Sequence, residues 1–190
     1  MVLIIKSFLS DSETEDLNRW VDEGVHVGHL GPGLSRGSFG YDLRYTSRFY
    51  RDNFEAYDIT AYAVRKRITD VLSLHGLRES VAGGGRDGIV VSCTKHGGDV
   101  YPHRDPKEGN GVDVLRCNIM TRKPESGGLL YVGGSHIDIN AGDLHCYLAS
   151  DVPHHVSTVS GPISRVLWMF GYQISKGDWE RRLKEFLQSR

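Results

Sequence analysis

The sequence predicts a mainly β protein, a sandwich or a barrel with helices packed against its outside. Beyond residue 88 the chain consists of short apolar or alternating runs separated by Gly, Pro and Asp, a pattern typical of antiparallel sandwiches and barrels. Before residue 80, two stretches carry apolar residues at helical spacing and predict helices that flank this β region. The six predicted strands cover residues 89–93, 114–121, 128–132, 145–148, 154–159 and 165–172.

The N-terminal part of the chain predicts one short strand and two helices. Residues 2–5 are apolar and predict the strand. Ser10 and Glu13 then form a capping signal ahead of Leu17 and Trp20, which lie about one helical turn apart. Residues 54–77 contain no Gly or Pro before Gly76 and predict one long amphipathic helix. A C-terminal helix is predicted at residues 178–188, where apolar side chains recur among charges.

The segment between the two N-terminal helices has two interpretations. Residues 24–40 are rich in Gly and Ser and predict a surface loop. Residues 41–51 then interleave Arg44, Arg48 and Arg51 with aromatic residues. They predict either a solvated edge strand or a lid whose arginines meet a carboxylate of the substrate.

Composition limits the partners and the compartment. A length of 190 residues predicts one domain. The net charge of -1 gives no field that would attract nucleic acid or an anionic membrane. Three cysteines without CxxC spacing predict reduced thiols rather than disulfides or structural zinc. The apolar start of the chain meets charge at Lys6, too early for a signal peptide or a membrane span, so we expect a cytoplasmic protein.

Two histidine-containing segments predict a metal site. His103 and Asp105 have the period-two spacing that points two side chains the same way on an extended chain. A second segment holds His154 and His155, and only one of two adjacent strand residues can face the same side as the first pair. Two imidazoles and one carboxylate leave positions open on an octahedral ferrous ion.

The order and spacing of these segments resemble the Fe(II)/2-oxoglutarate-dependent dioxygenases, closest to the prolyl-hydroxylase-like branch. The family pattern is His-x-Asp, then His-x-Val, then Arg, which is similar to His103-x-Asp105, His154-x-Val156 and Arg165. The match to His-x-Val favours His154 over His155 as the third ligand. Residues 125–130 and 138–143 resemble two family turns, and residues 116–118 resemble a strand that lines the family's pocket.

The resemblance implies a fold, a set of metal ligands and a co-substrate. The fold is a double-stranded β-helix, a jelly roll of cupin-like form, over about residues 89–173 of a single domain spanning 1–190. Residues 1–80 would add the N-terminal strand and helices, and residues 177–188 the C-terminal helix. His103, Asp105 and His154 would be the catalytic metal ligands. Fe(II) would be the metal, 2-oxoglutarate the co-substrate and dioxygen the oxidant, with ascorbate as a candidate reductant.

The resemblance also implies how the co-substrate is held and what reaction follows. Arg165 would clamp the far carboxylate of 2-oxoglutarate, because a planar guanidinium suits a carboxylate better than an ammonium does. The reaction would hydroxylate an unactivated C–H bond and release succinate and carbon dioxide. A compact chain suits a small substrate, an amino acid or an amino-acid-derived metabolite. Further candidates for co-substrate and substrate contacts are Tyr101, Arg116, Asn118 and Tyr131.

Two other functions stay open. One is hydroxylation of a residue within a peptide or protein. The other is a non-catalytic metal-binding module of the cupin type. Cupins generally show His-x-His with a downstream Glu and His, whereas this chain has His103-x-Asp105.

Overall fold

The computed structural model of the protein describes residues 1–26, 46–49, 59–80 and 88–189. Strands form the largest share of the regular structure, with helices in the N-terminal half and at the C-terminal end, and the predicted fold class is confirmed in this respect. None of the helices in the described ranges is both long and apolar enough to cross a membrane. The helices are α1 (Asp11–His26), α2 (Ile59–Val71) and α3 (Lys176–Gln188). The strands are β1 (Leu3–Ile5), β2 (Thr46–Phe49), β3 (Ile89–Thr94), β4 (Val100–His103), β5 (Asp113–Arg122), β6 (Ser126–Gly127), β7 (Leu130–Val132), β8 (Ser135–Ile137), β9 (Leu144–Leu148), β10 (His154–Val156), β11 (Val159–Ser160) and β12 (Arg165–Ile174).

The strands form two sheets and a short ribbon, all with antiparallel pairing. The large sheet has the order β1-β9-β5-β12-β3-β2, and the small sheet has the order β4-β10-β7-β8. Strands β6 and β11 pair with each other as the ribbon. Apart from the β7–β8 hairpin, neighbours in both sheets are distant in sequence, so residues from early and late strands meet at the same end of the barrel.

The central strands β5 and β12 of the large sheet are buried on both faces, and β12 is accordingly a nearly continuous apolar run after Arg165. On one face, Trp168 and Phe170 pack in a cluster with residues of all three helices, and the Trp168 ring lies 5.3 Å from that of Trp20. On the other face, Leu167 and Met169 belong to a second cluster shared with β7 and β10 of the small sheet. Alternate side chains along β12 thus face the helix layer and the barrel interior in turn.

The long helix predicted for residues 54–77 ends earlier than expected, at Val71. Ser73 adopts a left-handed conformation with φ of 53°. Its N–H donates to the Asp70 carbonyl at 3.3 Å, and the Leu74 N–H donates to the Thr69 carbonyl at 2.8 Å. These two bonds form a Schellman cap, which usually places Gly at the left-handed position. The prediction was wrong at this end because Ser73 carries no stop signal.

Other element boundaries differ less. Helix α1 continues to His26, three residues into the predicted surface loop, and the rest of that loop lies outside the described residues. Helix α3 begins at Lys176, because the Ser175 hydroxyl accepts a hydrogen bond from the Asp178 N–H at 3.1 Å. Strands β4 and β8 were not predicted, since each is short and of mixed polarity.

The arginine-rich segment at residues 41–51 is described only in part. Residues 46–49 form β2 at the edge of the large sheet, paired with β3, as the edge-strand interpretation predicts. Arg44 and Arg51 lie outside the described residues, and the side chain of Arg48 does too. The lid interpretation therefore stays a prediction.

Candidate metal centre

Three predicted ligands meet where the two sheets open. His103 ends β4, Asp105 follows two positions later, and His154 begins β10. Because β10 pairs with β4 so that His154 lies opposite His103, the two imidazole centroids are only 4.3 Å apart. One possible ligand atom from each of the three residues lies within 4.8 Å of the others. Strand pairing thus assembles two imidazoles and one carboxylate around one point.

The orientation of both imidazoles suits metal binding through Nε2. The Nδ1 atom of His103 lies 2.8 Å from the Tyr101 carbonyl, and the Nδ1 atom of His154 lies 3.1 Å from the Val152 carbonyl. A carbonyl can only accept, so Nδ1 donates in these bonds and Nε2 is the nitrogen that remains to bind a metal. Both Nε2 atoms face Asp105 Oδ1, at 3.6 Å from His103 and 3.9 Å from His154.

The charges of the centre also suit a cation. Burial alone would raise the pKa of Asp105, but the charge of Arg116 and the hydrogen bond from its guanidinium hold it well below its usual range. Burial lowers the pKa of His154 to about 4. Near neutral pH, Asp105 is therefore ionised and His154 is neutral, the forms that bind metal ions.

His155, the alternative third ligand, faces the other side of the small sheet. Its ring stacks on that of Tyr131 with centroids 4.6 Å apart and an interplanar angle of 1°. Adjacent strand residues point to opposite faces, so the inward position of His154 requires this outward position of His155. Tyr131 shares this outer face, away from the pocket between the sheets.

Arg165 lies in the same pocket as the three candidate ligands, on the first residue of β12. Its side chain is buried, with only 2% of the residue's surface exposed. Its Nε and Nη2 atoms have no hydrogen-bond partner among the described residues. Burial lowers the pKa of the guanidinium to about 10, so it remains charged near neutral pH. A buried charge without a counter-ion is costly, and the arrangement suits an anion that binds in the pocket.

Two successive glycines allow the chain to close over Arg165. Gly127 and Gly128 both have positive φ, at 68° and 61°. A Cβ on Gly127 would lie 1.8 Å from the Thr158 carbonyl oxygen, and one on Gly128 would lie 3.2 Å from the Cδ of Arg165. Larger residues would push the β6–β7 turn away, so the glycines of the family-like turn at residues 125–130 have a steric role.

The pocket between the sheets collects six of the eight predicted site residues. Tyr131, on the outer face of the small sheet, is one exception. Tyr101 is the other, because its side chain points outward from β4 and is 57% exposed. It takes no part in the pocket that the other residues share. Apolar side chains of both sheets complete the lining. The six residues in the pocket are His103, Asp105, Arg116, Asn118, His154 and Arg165.

Tyr147 is a pocket residue that the sequence analysis missed. Its ring lies edge-on to that of His154, with centroids 5.2 Å apart. Burial and the negative charge of Asp105 raise the pKa of the phenol, so Tyr147 presents an O–H donor. The available signal was the alternation along β9, which places Tyr147 on the same face as His145 and across from Arg116.

His145 lies on the same inward face and is fully buried. Neither of its ring nitrogens has a hydrogen-bond partner among the described residues. Burial, together with the charge of Arg165, lowers its pKa to about 3. Below about pH 6.5, His145 thus stays neutral in the folded protein, whereas it would be protonated in the unfolded chain.

We expect this histidine to make folding sensitive to acid. Because the folded pKa is below the unfolded value of about 6.5, the unfolded state binds the extra proton, and stability falls as pH drops through that value. Between pH 7 and pH 5 the loss amounts to about 2 kcal/mol. Urea unfolding at both pH values measures it. His145→Leu should remove this part of the acid sensitivity, and an equal loss in both proteins would contradict the assignment.

Comparison of the sequence with protein-family models and with curated proteins finds no match. Solved structures do match. A prolyl-4-hydroxylase from Pseudomonas putida superposes with a TM-score of 0.65 at 18% identity, over 91% of this chain and 92% of that one. A prolyl hydroxylase from Trichoplax adhaerens, in complex with a hypoxia inducible factor peptide fragment, has a TM-score of 0.63 at 16% identity, over 90% and 83% of the two chains. HygX from Streptomyces hygroscopicus, with nickel and 2-oxoglutarate bound, has a TM-score of 0.59 at 13% identity, over 92% and 83%.

These similarities extend over nearly the whole chain in spite of the low identity, so they concern the fold. They confirm the predicted barrel and the helices packed outside it. The chain therefore has a double-stranded β-helix fold similar to that of these two prolyl hydroxylases and of HygX.

Proposed function

We propose that the chain is an Fe(II)- and 2-oxoglutarate-dependent dioxygenase that hydroxylates an unactivated C–H bond and releases succinate and carbon dioxide. The observation that carries this proposal is the presence in one pocket of a His103, Asp105 and His154 cluster and a buried Arg165 that has no counter-ion in the part of the chain that the structure describes. A dicarboxylate that chelates the metal at one end and binds Arg165 at the other would explain both the ligand cluster and the buried guanidinium. A non-catalytic metal-binding module of the cupin type would not explain the buried guanidinium.

The residues present fit the metal and the co-substrate. His103 and His154 would bind the metal through Nε2 and Asp105 through Oδ1, since these atoms face one another. Bound Fe(II) would supply the dioxygen chemistry that no side chain can provide. Arg165 would bind the far carboxylate of 2-oxoglutarate with charge-assisted hydrogen bonds.

Other side chains would orient the co-substrate and exclude water. Tyr147 can donate its O–H inside the pocket, which Asn118 also lines. Val90, Leu167 and Met169 add apolar lining. A dry pocket strengthens the contact between Arg165 and a carboxylate, and it protects reactive species from side reactions.

The solved structures support the choice of ligands. HygX was solved with nickel and 2-oxoglutarate bound, a divalent metal and the proposed co-substrate. For this chain we propose Fe(II), with dioxygen as oxidant and ascorbate as a reductant that keeps the iron ferrous. The three candidate ligands together match the two-histidine, one-carboxylate set associated with non-haem Fe(II) oxygenases.

For the substrate, we propose a small molecule, either an amino acid or a metabolite derived from one. We also propose that residues 1–190 form a single domain and that the enzyme works in the cytoplasm. A second candidate is a residue within a peptide. It is favoured by the similarity to the Trichoplax prolyl hydroxylase, which was solved with a peptide fragment. The net charge of -1 supports neither nucleic acid nor a membrane as a partner.

The proposal is tested by succinate formation from 2-oxoglutarate in the presence of Fe(II), ascorbate and dioxygen. We expect slow succinate release without a second substrate, and faster release when the right substrate is added. Panels of amino acids, their derivatives and short peptides are then screened by mass spectrometry for the gain of one oxygen atom, traced with isotopically labelled dioxygen. Metal-loaded protein that forms no succinate with any panel would instead support the non-catalytic module.

A further inference from the structure

The carboxylate of Asp105 is shared between the candidate metal centre and Arg116. Oδ1 is the oxygen that faces the Nε2 atoms of His103 and His154, at 3.6 and 3.9 Å. Oδ2 instead accepts a hydrogen bond from Arg116 Nε at 2.7 Å. The two oxygens of this one carboxylate therefore have different partners.

Arg116 is held firmly in this position. It lies on β5 in the middle of the large sheet, with only 5% of its surface exposed, and its strand neighbours are Tyr147 on β9 and Gly171 on β12. A Cβ on Gly171 would lie 2.9 Å from Arg116 Nη1, closer than side chains normally approach. The glycine thus leaves the space in which the guanidinium lies.

We propose that Arg116 is a positioning residue that restricts Asp105 to one coordination position on the metal and so keeps one more position open. This inference rests on the proposed function. An octahedral ion with three single-atom protein ligands has three free positions, of which a chelating co-substrate takes two. A carboxylate can also bind a metal through both oxygens. If Asp105 did so, it would occupy the position that dioxygen needs, and the hydrogen bond from Arg116 to Oδ2 opposes this.

The experiment counts the open positions directly. Mn(II), which suits carboxylate and imidazole ligands, is added to the protein without co-substrate, and water proton relaxation reports the number of exchanging waters per bound ion. The wild type should hold three waters. Arg116→Met, which keeps the length of the side chain and removes the hydrogen bond, should hold two, a drop of about one third in relaxation enhancement.

Three further variants separate positioning from a general structural role. Arg116→Lys retains a cationic donor and should restore part of the lost enhancement. Gly171→Ala displaces Arg116 without removing its charge and should lower the enhancement in the same direction as Arg116→Met. The control is Arg122→Met on the same strand, because Arg122 pairs with Asp22 away from the pocket, at 2.9 and 2.6 Å. It should leave the enhancement unchanged.

The outcomes distinguish this inference from the proposed function. A wild-type protein that binds no Mn(II) would overturn the metal centre itself. Two waters in the wild type, or three in Arg116→Met, would overturn the inference while leaving the centre intact. If Arg116→Met does not fold, the numbers of bound waters in the wild type and in Gly171→Ala test the inference instead.

Discussion

Replacing Asp105 is expected to abolish turnover and to weaken metal binding at least a hundredfold. Asp105 is the only carboxylate in the cluster of candidate ligands, and its Oδ1 faces both imidazoles. Mutating even a residue that only hydrogen-bonds to a metal ligand typically lowers metal affinity by about 10–100-fold, so the loss of a charged ligand should exceed that range. Metal titration and succinate formation measure the two effects.

The choice of substitution matters because Asp105 also pairs with Arg116. Asp105→Ala removes the partner of a buried guanidinium, and breaking a buried ion pair costs about 3–5 kcal/mol. Asp105→Asn keeps an oxygen that can accept from Arg116 Nε and removes the charge, so it tests ligation with less damage to packing. Asp151→Asn is the control, since Asp151 pairs with Lys176 at the surface. Normal succinate formation by purified Asp105→Ala would refute the proposed ligand set.

Replacing Arg165 should have the opposite pattern, with metal binding kept and co-substrate binding lost. A charge-assisted hydrogen bond contributes about 1.5–3 kcal/mol, so the apparent affinity for 2-oxoglutarate should fall about tenfold to a hundredfold in Arg165→Met. The same variant removes a buried charge that has no counter-ion among the described residues. We therefore expect the co-substrate-free protein to be as stable as the wild type or more stable, since apolar replacement of buried ionic groups is often stabilising.

Thermal unfolding with and without 2-oxoglutarate measures both halves of this expectation. In the wild type the co-substrate should raise the unfolding temperature, because a ligand stabilises the state that binds it. In Arg165→Met the shift should largely disappear at the same ligand concentration, while Mn(II) binding stays unchanged. Arg122→Met is again the control. An unchanged affinity for 2-oxoglutarate in Arg165→Met would assign the far carboxylate to another residue.

Much of the fold was predictable, because strand and helix patterns are local. All six predicted strands correspond to observed strands, and the C-terminal helix differs by two residues at its start. The predictions were wrong where a tertiary contact or an unusual backbone conformation determines where an element begins or ends, or whether it forms. Helix α2 stops at a left-handed Ser73, and β4 exists because β10 pairs with it. The composition of neither segment indicates these outcomes.

By itself, the sequence determined which side chains are available and which of them share a face of a strand. The period-two spacing of His103 and Asp105, and the adjacency of His154 and His155, are properties of the chain alone. Only the tertiary structure decided that His154 lies opposite His103, that Tyr101 points outward, and that Arg116 reaches Asp105. The physical reason is that pairing and register between strands distant in sequence depend on how the whole core packs, and no local pattern records them.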